Sequence, residues 1–406
     1  MRGVLTLPVP AVAREAHQWQ AADDGMTGRR RLAAASGAYE STIPAPLAGL
    51  KLSLPPELAA DLDEATVALS KFDDHARSTL PPASTALGPM SSILLRTESA
   101  SSSQIENLTA GARQLALAEL EQSRSDNARI VVGNVHAMEA ALQLADHLNQ
   151  DALLTMQRIL VQEQPHSENC AGRYRSDLVW VGTTGVSPIG ANHIAPQAEH
   201  IAPAMDDLIR FIHRPDMPVL LQAALAHAQF ETIHPFEDGN GRTGRALIHA
   251  MLKSKGLVTS TTAPLSAGLL KQTQSYFDAL TQFREGDAGP LVSCFIDAAL
   301  FAAASGTQLV DDLNTELALS SEQLTGLRPQ ASAWKVLPQL IAHPVVNAAF
   351  LRRQLQFNEM TAQRALAQLT ERGVLEERSG LRRNRVYQHP GILRTLDAYA
   401  QQLRRR

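Results

Sequence analysis

The stretch His234 to Arg245, HPFEDGNGRTGR, is the feature that most constrains how this chain can fold. An apolar run ending at Ile233 leads into it, and Ala246, Leu247, Ile248, Ala250, Met251 and Leu252 follow at once. That order predicts a helix from Pro218 to Thr232, a glycine-bearing loop, and a second helix starting inside the stretch. Gly239 and Gly241 allow backbone conformations closed to other residues. Successive N–H groups can therefore converge on an anion at the positive end of the second helix. The stretch reads as a phosphate cradle.

Its side chains supply chemistry to match. Asp238 can hold Mg²⁺, an ion that takes few protein carboxylates and completes its octahedron with phosphate oxygens and waters. Arg242 and Arg245 fall on adjacent positions at the helix start and can grip terminal phosphates of ATP in fork geometry. Asn240 can donate its amide to a phosphate oxygen, and His234 can take a proton from an attacking hydroxyl at neutral pH. Phosphoryl or nucleotidyl transfer is the chemistry these parts describe together. A lone His before Pro-Phe is usually structural, so the whole string carries the reading. It is neither a Walker A loop nor a dinucleotide fingerprint, because G-x-x-x-x-G-K-[ST] is absent and no strand precedes it.

At 406 residues the chain has room for two or three domains. Stretches rich in Ala, Leu and Gln, with aromatics at 4%, favour helices over sheets. Cys170 and Cys294 alone make neither a disulfide scaffold nor a Cys-based zinc site, and a reducing cytoplasm fits them best. Pro8 and Pro10 break the short apolar start, which makes a poor signal peptide, and no run of about 18 apolar residues suggests a membrane span. Charge is unevenly spread. Residues 326–406 hold 14 Lys and Arg against 5 Asp and Glu, while the chain as a whole is at −4.

Residues 1 to about 55 read as an irregular surface wrap or disordered segment. Leu58, Leu62, Ala65, Leu69 and Phe72 then recur at helical spacing. Ser91 to Asn107 reads as a capped helix or a solvated loop. Helices are expected over 132–148 and 152–162, and turn residues around Val179-Trp180-Val181 predict a hairpin between Asp177 and Pro196, placed as a lid. Further helices are expected over 205–213, 269–283, 291–306 and, as a link, 309–324. Beyond Gly326 the order helix, helix, helix and basic hairpin reads as a winged helix-turn-helix. Gln363, Arg364, Arg382, Arg383 and Arg385 would face DNA; a solvated basic face and a protein-binding wing are the other readings.

The string His234 to Arg245 resembles the HPFxxGNGRxxR signature of the Fic family at every fixed position, and Ala224 to Arg245 is similar to that family's helix and loop. The resemblance implies an all-α Fic fold with a small β-hairpin flap, beside the C-terminal winged helix. The domains become an N-terminal region over 1–109 with an inhibitory motif, a catalytic domain over 110–310, a linker helix over 311–328 and the winged helix over 329–406. It implies transfer of AMP from ATP, with Mg²⁺, to a Ser, Thr or Tyr hydroxyl of a target protein. His234 is then the general base, Phe236 the anchor of the loop, and Asp238 the metal ligand. Gly239, Asn240, Gly241, Arg242, Gly244 and Arg245 form the nucleotide-binding set, with Tyr276 and Phe277 at the adenine. The 177–196 hairpin becomes a flap that registers the target by strand addition. Ser102 to Asn107 resembles the family's [S/T]xxxE[G/N] inhibitory motif, with Ser102, Glu106 and Asn107 at its fixed positions and Glu106 drawing Arg245 from the γ-phosphate. A nucleotide-sensing transcriptional regulator, and a relative that removes AMP or transfers another phosphate-containing group, are the alternatives. A homodimer stays open.

Overall fold

The computed structural model describes residues 6–21, 35–79, 87–162, 164, 167–182, 187–378 and 385–403. A hairpin, β1 (Ala13–Trp19) and β2 (Gly37–Ile43), leads into helices α1 (Pro56–Ser78), α2 (Leu87–Ile105), α3 (Ala112–Glu119), α4 (Asp126–Gln143) and α5 (Gln150–Val161). A second hairpin, β3 (Trp180–Val181) and β4 (His193–Ile194), precedes α6 (Ala198–Ile212), α7 (Val219–Ile233), α8 (Asn240–Ser254), α9 (Leu265–Lys271), α10 (Thr273–Arg284) and α11 (Gly289–Gln323). The chain continues through α12 (Ser332–Val336), α13 (Gln339–Ala342), β5 (Val345–Val346), α14 (Ala348–Leu355) and α15 (Glu359–Glu371). β6 (Glu376–Glu377), β7 (Tyr387–Gln388) and α16 (Pro390–Leu403) follow. Two compact units emerge, one of Met1–Thr66, Ala137–Leu257 and Gln272–Asp297, the other of Val67–His136, Val258–Lys271 and Ala298–Arg406.

In the first unit α7 is buried from Leu220 to Ile233. Its residues are apolar or small on nearly every side, which suits a helix with no solvent face. The amphipathic α6 buries Ile201, Met205, Leu208, Phe211 and Ile212. It also buries Asp207, whose Oδ2 accepts the N–H groups of Leu47 (2.5 Å) and Ala48 (3.2 Å). Arg214 Nη1 donates to Leu50 O at 2.6 Å, so residues 47–50 are tied down at both donors and acceptors. The irregular wrap expected for residues 1–55 is thus corrected. β1 and β2 pair antiparallel from Ala13↔Ile43 to Trp19↔Gly37, and Trp19 packs edge-on to Trp180 at 5.2 Å. Polar residues stand on both faces of β1, as in Arg14, Glu15, His17 and Gln18, which hides the two-residue period from a reading by hydrophobicity.

In the second unit two buried carboxylates fasten distant segments. Asp73 of α1 accepts the N–H groups of Thr259, Ser260 and Thr261 at 3.1, 3.1 and 2.9 Å. Glu98 of α2, with no exposed surface, accepts Ser266 N at 2.9 Å and the Ser266 hydroxyl, capping α9. The serine cluster is helical: Ser101, Ser102 and Ser103 are buried, and the Ser101 hydroxyl returns to Thr97 O at 2.9 Å. Asn107, at φ 64°, ends α2 in the left-handed region, with its N–H on Gln104 O and that of Leu108 on Ser103 O.

The helices expected over 291–306 and 309–324 are one, α11. Gly306 does not terminate it, because a Cβ there would lie 2.7 Å from the Phe72 ring and the glycine serves close packing. By length and composition α11 could cross a membrane, contrary to the expectation that no segment could, yet 61% of its most apolar window is buried within the protein. Toward the C-terminus β5, β7 and β6 form an antiparallel sheet in that order. Asn347 and Asn358 cap α14 and α15 through Phe350 N (2.7 Å) and Thr361 N (2.8 Å). Gln363 and Arg364 lie on the exposed face of α15; exposed Arg385 pairs with Glu377 at 3.4 Å. Arg382 and Arg383 lie outside the described residues. α16, which the sequence reading did not anticipate, buries Ile392, Leu396 and Tyr399.

Replacing Asp73 by Ala removes the shared acceptor of Thr259, Ser260 and buried Thr261, and the loss is expected at about 2 kcal/mol of stability. A shift of the urea midpoint matching under about 1 kcal/mol would show that water or rearrangement replaces the carboxylate.

Candidate active site

The whole expected loop lies in the first unit, between α7 and α8. α7 ends on His234, whose N–H still bonds Phe230 O at 2.8 Å while its backbone turns left-handed, φ 48° and ψ 60°. A non-glycine residue there is uncommon and marks a conformation imposed by its surroundings. His234 Nδ1 lies 3.3 Å from Glu231 O and 3.5 Å from Glu231 Oε2. With Nδ1–H donating to Glu231, Nε2 carries the lone pair a base needs. Its ring also meets His193 of β4 edge-on at 6.2 Å.

Phe236 is fully buried against Phe230 and Tyr174, with ring centroids 6.0 and 5.9 Å away, as an anchor requires. The Asn240 side chain closes the loop onto it: Phe236 N donates to Oδ1 at 2.9 Å, and Nδ2 donates to Phe236 O at 2.8 Å. This alters the expected role of Asn240, whose amide is committed to the main chain and shapes the cradle instead of donating to phosphate. Gly239 stands at φ 84°, and a Cβ would come 2.7 Å from Leu160 Cδ2, so conformation and space both demand glycine. The first helical bond of α8 runs from Thr243 N to Gly239 O, so Asn240, Gly241 and Arg242 form its first turn, at the positive end of the helix dipole. Gly244 differs from expectation as well. It is buried, and a Cβ would meet His227 Nδ1 and Phe230 Cδ1 at 3.0 Å, so its bare face serves the packing of α8 on α7.

Arg242 Nη2 reaches the Asp238 carboxylate at 3.1 and 3.2 Å. The Arg242 side chain is nearly buried and that of Asp238 half-exposed. Arg245 is 2% exposed, and its charge acts on both Glu231 and His227. Burial pushes the Glu231 carboxyl up, but the bond to His234 and the charges of His227, His234 and Arg245 outweigh it and hold it down at about 2. Burial pushes His227 down to about 4. His193, buried with Arg284 and His234 nearby, is pushed well below the ordinary histidine range, and its Nε2 sits 3.0 Å from Thr232 O. Tyr276 is 1% exposed with its hydroxyl 2.6 Å from His227 Nε2, so it is a core residue under the site, whereas Phe277 is 45% exposed. Among the described residues no three His, Cys, Asp or Glu side chains cluster as a metal site. A single half-exposed carboxylate, Asp238, fits an ion such as Mg²⁺ that completes its shell with phosphate and water.

Sequence reasoning missed two supports. Gln157 of α5, fully buried, donates to Asp238 O at 3.2 Å and accepts Gly172 N at 2.6 Å. Arg175 is buried with its guanidinium among main-chain carbonyls, including His234 O at 2.8 Å. Arg175 ends the quoted run Gly172-Arg173-Tyr174-Arg175, but nothing in a lone arginine signals burial. The expected hairpin is present, with Trp180↔Ile194 and Val181↔His193 paired. Ser102, Glu106 and Asn107, like Gln363, Arg364 and Arg385, belong to the second unit.

Residues 147–252 match the Fic/DOC family and residues 59–143 match the Fic/DOC family N-terminal region. Protein adenylyltransferase Fic of Nematostella vectensis is 32% identical over 125 residues, 30% of this chain and 26% of that protein. Its counterpart in Aedes aegypti is 30% identical over 148 residues, 36% of this chain and 27% of that protein. The match thus spans about a quarter of the length of these relatives. A Fic family protein from Desulfovibrio desulfuricans G20, solved by crystallography, shares the fold with a TM-score of 0.51 at 21% identity, over 84% of this chain and 97% of that one.

The shifts fix the acid response of the first unit. Unfolded, His227 takes its proton near 6.5 and Glu231 near 4.5; folded, they wait until about 4 and about 2. The unfolded chain binds more protons, so stability falls as pH drops from 6.5 toward 4 and again from 4.5 toward 2, on the order of 3 kcal/mol for each group. His227→Gln is expected to flatten the upper part of a urea-midpoint profile and Glu231→Gln the lower. An unaltered slope below pH 4.5 in Glu231→Gln would remove Glu231 from that account.

Proposed function

Because the chain belongs to the Fic/DOC family, we propose that it is a protein adenylyltransferase that moves AMP from ATP to a Ser, Thr or Tyr hydroxyl of a target protein. The observation that carries this reading is the loop itself: His234 held left-handed against Glu231, directly ahead of a helix start with Asp238, Arg242 and Arg245 around it. His234 Nε2 takes the proton of the attacking hydroxyl as its oxygen bonds the α-phosphorus, and the bond from the α-phosphorus to the bridging oxygen breaks, releasing pyrophosphate. The first turn of α8, at Asn240 and Gly241, faces phosphate oxygens with the positive end of its dipole, and Arg242 and Arg245 hold the β and γ end. Asp238 would hold Mg²⁺, which when bound would supply charge neutralisation along the phosphates, with Arg242 beside Asp238 as a second counter-charge. Phe277, half-exposed on α10, is the ring available to adenine. The β3–β4 hairpin registers the target chain by strand addition.

Glu106 restrains this activity in the same reading. Its place just past the end of α2, where Asn107 halts the helix, supports a fixed carboxylate. Paired with Arg245, it denies the guanidinium to the γ-phosphate, and ATP binds in a pose unsuited to in-line attack. Glu106→Gly is expected to raise transfer of label from ATP to proteins of a cell lysate by about 10- to 100-fold, the worth of one charge-assisted hydrogen bond. His234→Ala should lower it by about 10² to 10⁴ while ATP still binds. Transfer no greater in the folded Glu106 variant would end the autoinhibition idea. ATP binding with no transfer by any form would favour a nucleotide sensor.

The C-terminal elements support a winged helix, with α15 as the helix laid on DNA and the β6–β7 hairpin as wing. Exposed Gln363, Arg364 and Arg385, and the basic balance of residues 326–406, are its support. For about four phosphate contacts, duplex affinity should fall about 100-fold between roughly 50 and 200 mM salt. Binding that ignores salt would point to a protein partner.

A further inference from the structure

We propose that Arg175 is a positioning residue that holds the β3–β4 hairpin in register with His234. The Arg175 side chain is 4% exposed, and the residue joins three places at once. Nε donates to His234 O at 2.8 Å, and Nη2 lies 3.5 Å from Ile233 O, both at the end of α7. Nη1 donates to Asp177 O at 2.8 Å and Nη2 to Pro196 O at 2.7 Å. Asp177 and Pro196 are the two feet of the hairpin. The Arg175 N–H itself bonds Pro235 O at 3.0 Å, one residue past the base.

Each of these acceptors is one the local backbone leaves over. The last carbonyls of α7 have no intrahelical donor and stand at the negative end of the helix dipole, so a cation is favoured there. The feet of a two-residue ladder have no further rung to pair with. A guanidinium satisfies all of them in one plane, at fixed angles. Burial pushes Arg175 down to about 10, which leaves it charged at neutral pH. A lysine ammonium is a single point and cannot span the feet and the helix end together. The hairpin therefore cannot move relative to His234 without breaking charge-assisted bonds.

The inference rests on the reading of His234 as base and of the hairpin as the docking strand. A target hydroxyl presented along that strand meets Nε2 at a distance that Arg175 sets, and a displacement of about 1 Å can cost about 100-fold in rate. Arg175 bonds the end of α7, Pro235 and the hairpin feet, so the nucleotide end at α8 should not feel its loss.

The test uses the full chain in the Glu106→Gly background, with Arg175→Lys and Arg175→Gln. Hydrogen exchange is followed at the Asn192 and Ala195 amides, which bond Val181 O and Val179 O across the hairpin. Exchange there is expected to rise about tenfold or more, with amides inside α6 and α7 unchanged. ATP affinity should stay within about threefold. Transfer to the labelled protein acceptor should lose about 100-fold in kcat/KM, through kcat and acceptor KM together, with Arg175→Lys intermediate. Unchanged exchange at Asn192 and Ala195, or a rise shared by the whole first unit, would overturn the assignment. Absence of transfer by the Glu106→Gly parent strikes the adenylyltransferase reading, and the exchange comparison then decides the role of Arg175 by itself.

Discussion

The site depends on how closely α8 packs on α7. Gly244 has no side chain, and a Cβ would already press on His227 and Phe230 at 3.0 Å. Two helices that near each other must be joined by a chain that reverses within a few residues. The reversal is made by a left-handed His234, a left-handed Gly239 and the Asn240 clamp on Phe236 between them. The chemical groups are then consequences of the turn. His234 is turned out of its helix toward Glu231, and Arg242 in the first turn of α8 reaches back to Asp238 in the loop.

Buried charges fasten each unit. Asp207 holds Leu47 and Ala48, and Arg175 holds the hairpin feet and His234; in the other unit Asp73 holds 259–261 and Glu98 caps α9. A buried charge costs heavily unless its lone pairs or protons are used, so Asp207, Arg175 and Asp73 each take two or more main-chain partners and Glu98 takes the Ser266 N–H and hydroxyl together. Charge-assisted bonds to main chain have well-defined geometry, and every one of these joins segments far apart in sequence. Their contribution lies in fixing which segments meet more than in net stability.

Legibility in the sequence followed periodicity and local turn chemistry. The helices from α4 to α8, the 177–196 hairpin and the reversal at His234–Arg245 announce themselves through spacing and glycine. β1 and β2 do not, because polar residues stand on both faces of β1 and the buried positions of β2 include Ser41 and Thr42. Gly306 misleads for a different reason: a glycine that stops a helix and a glycine that admits Phe72 look alike until the neighbour is known. The roles of Asn240, Gly244, Gln157 and Arg175 were hidden in the same way. Each is decided by a partner outside the local motif or by a main-chain bond that a motif reading assigns to a ligand.

Arg245 deserves its place at the centre of the proposed restraint on physical grounds. It is nearly fully buried, and its charge is one of those that hold Glu231 ionised beside His234. A guanidinium so enclosed is oriented before any phosphate arrives, and such preorganisation is what makes a donor effective in a transition state. The same enclosure limits how an inhibitor can act. A carboxylate need not pull Arg245 out of position, which would also disturb Glu231 and the base; it need only occupy the fork that the γ-phosphate requires. On the proposed reading, phosphate and any competing carboxylate meet the same preset donor, and neither requires a rearrangement of the first unit.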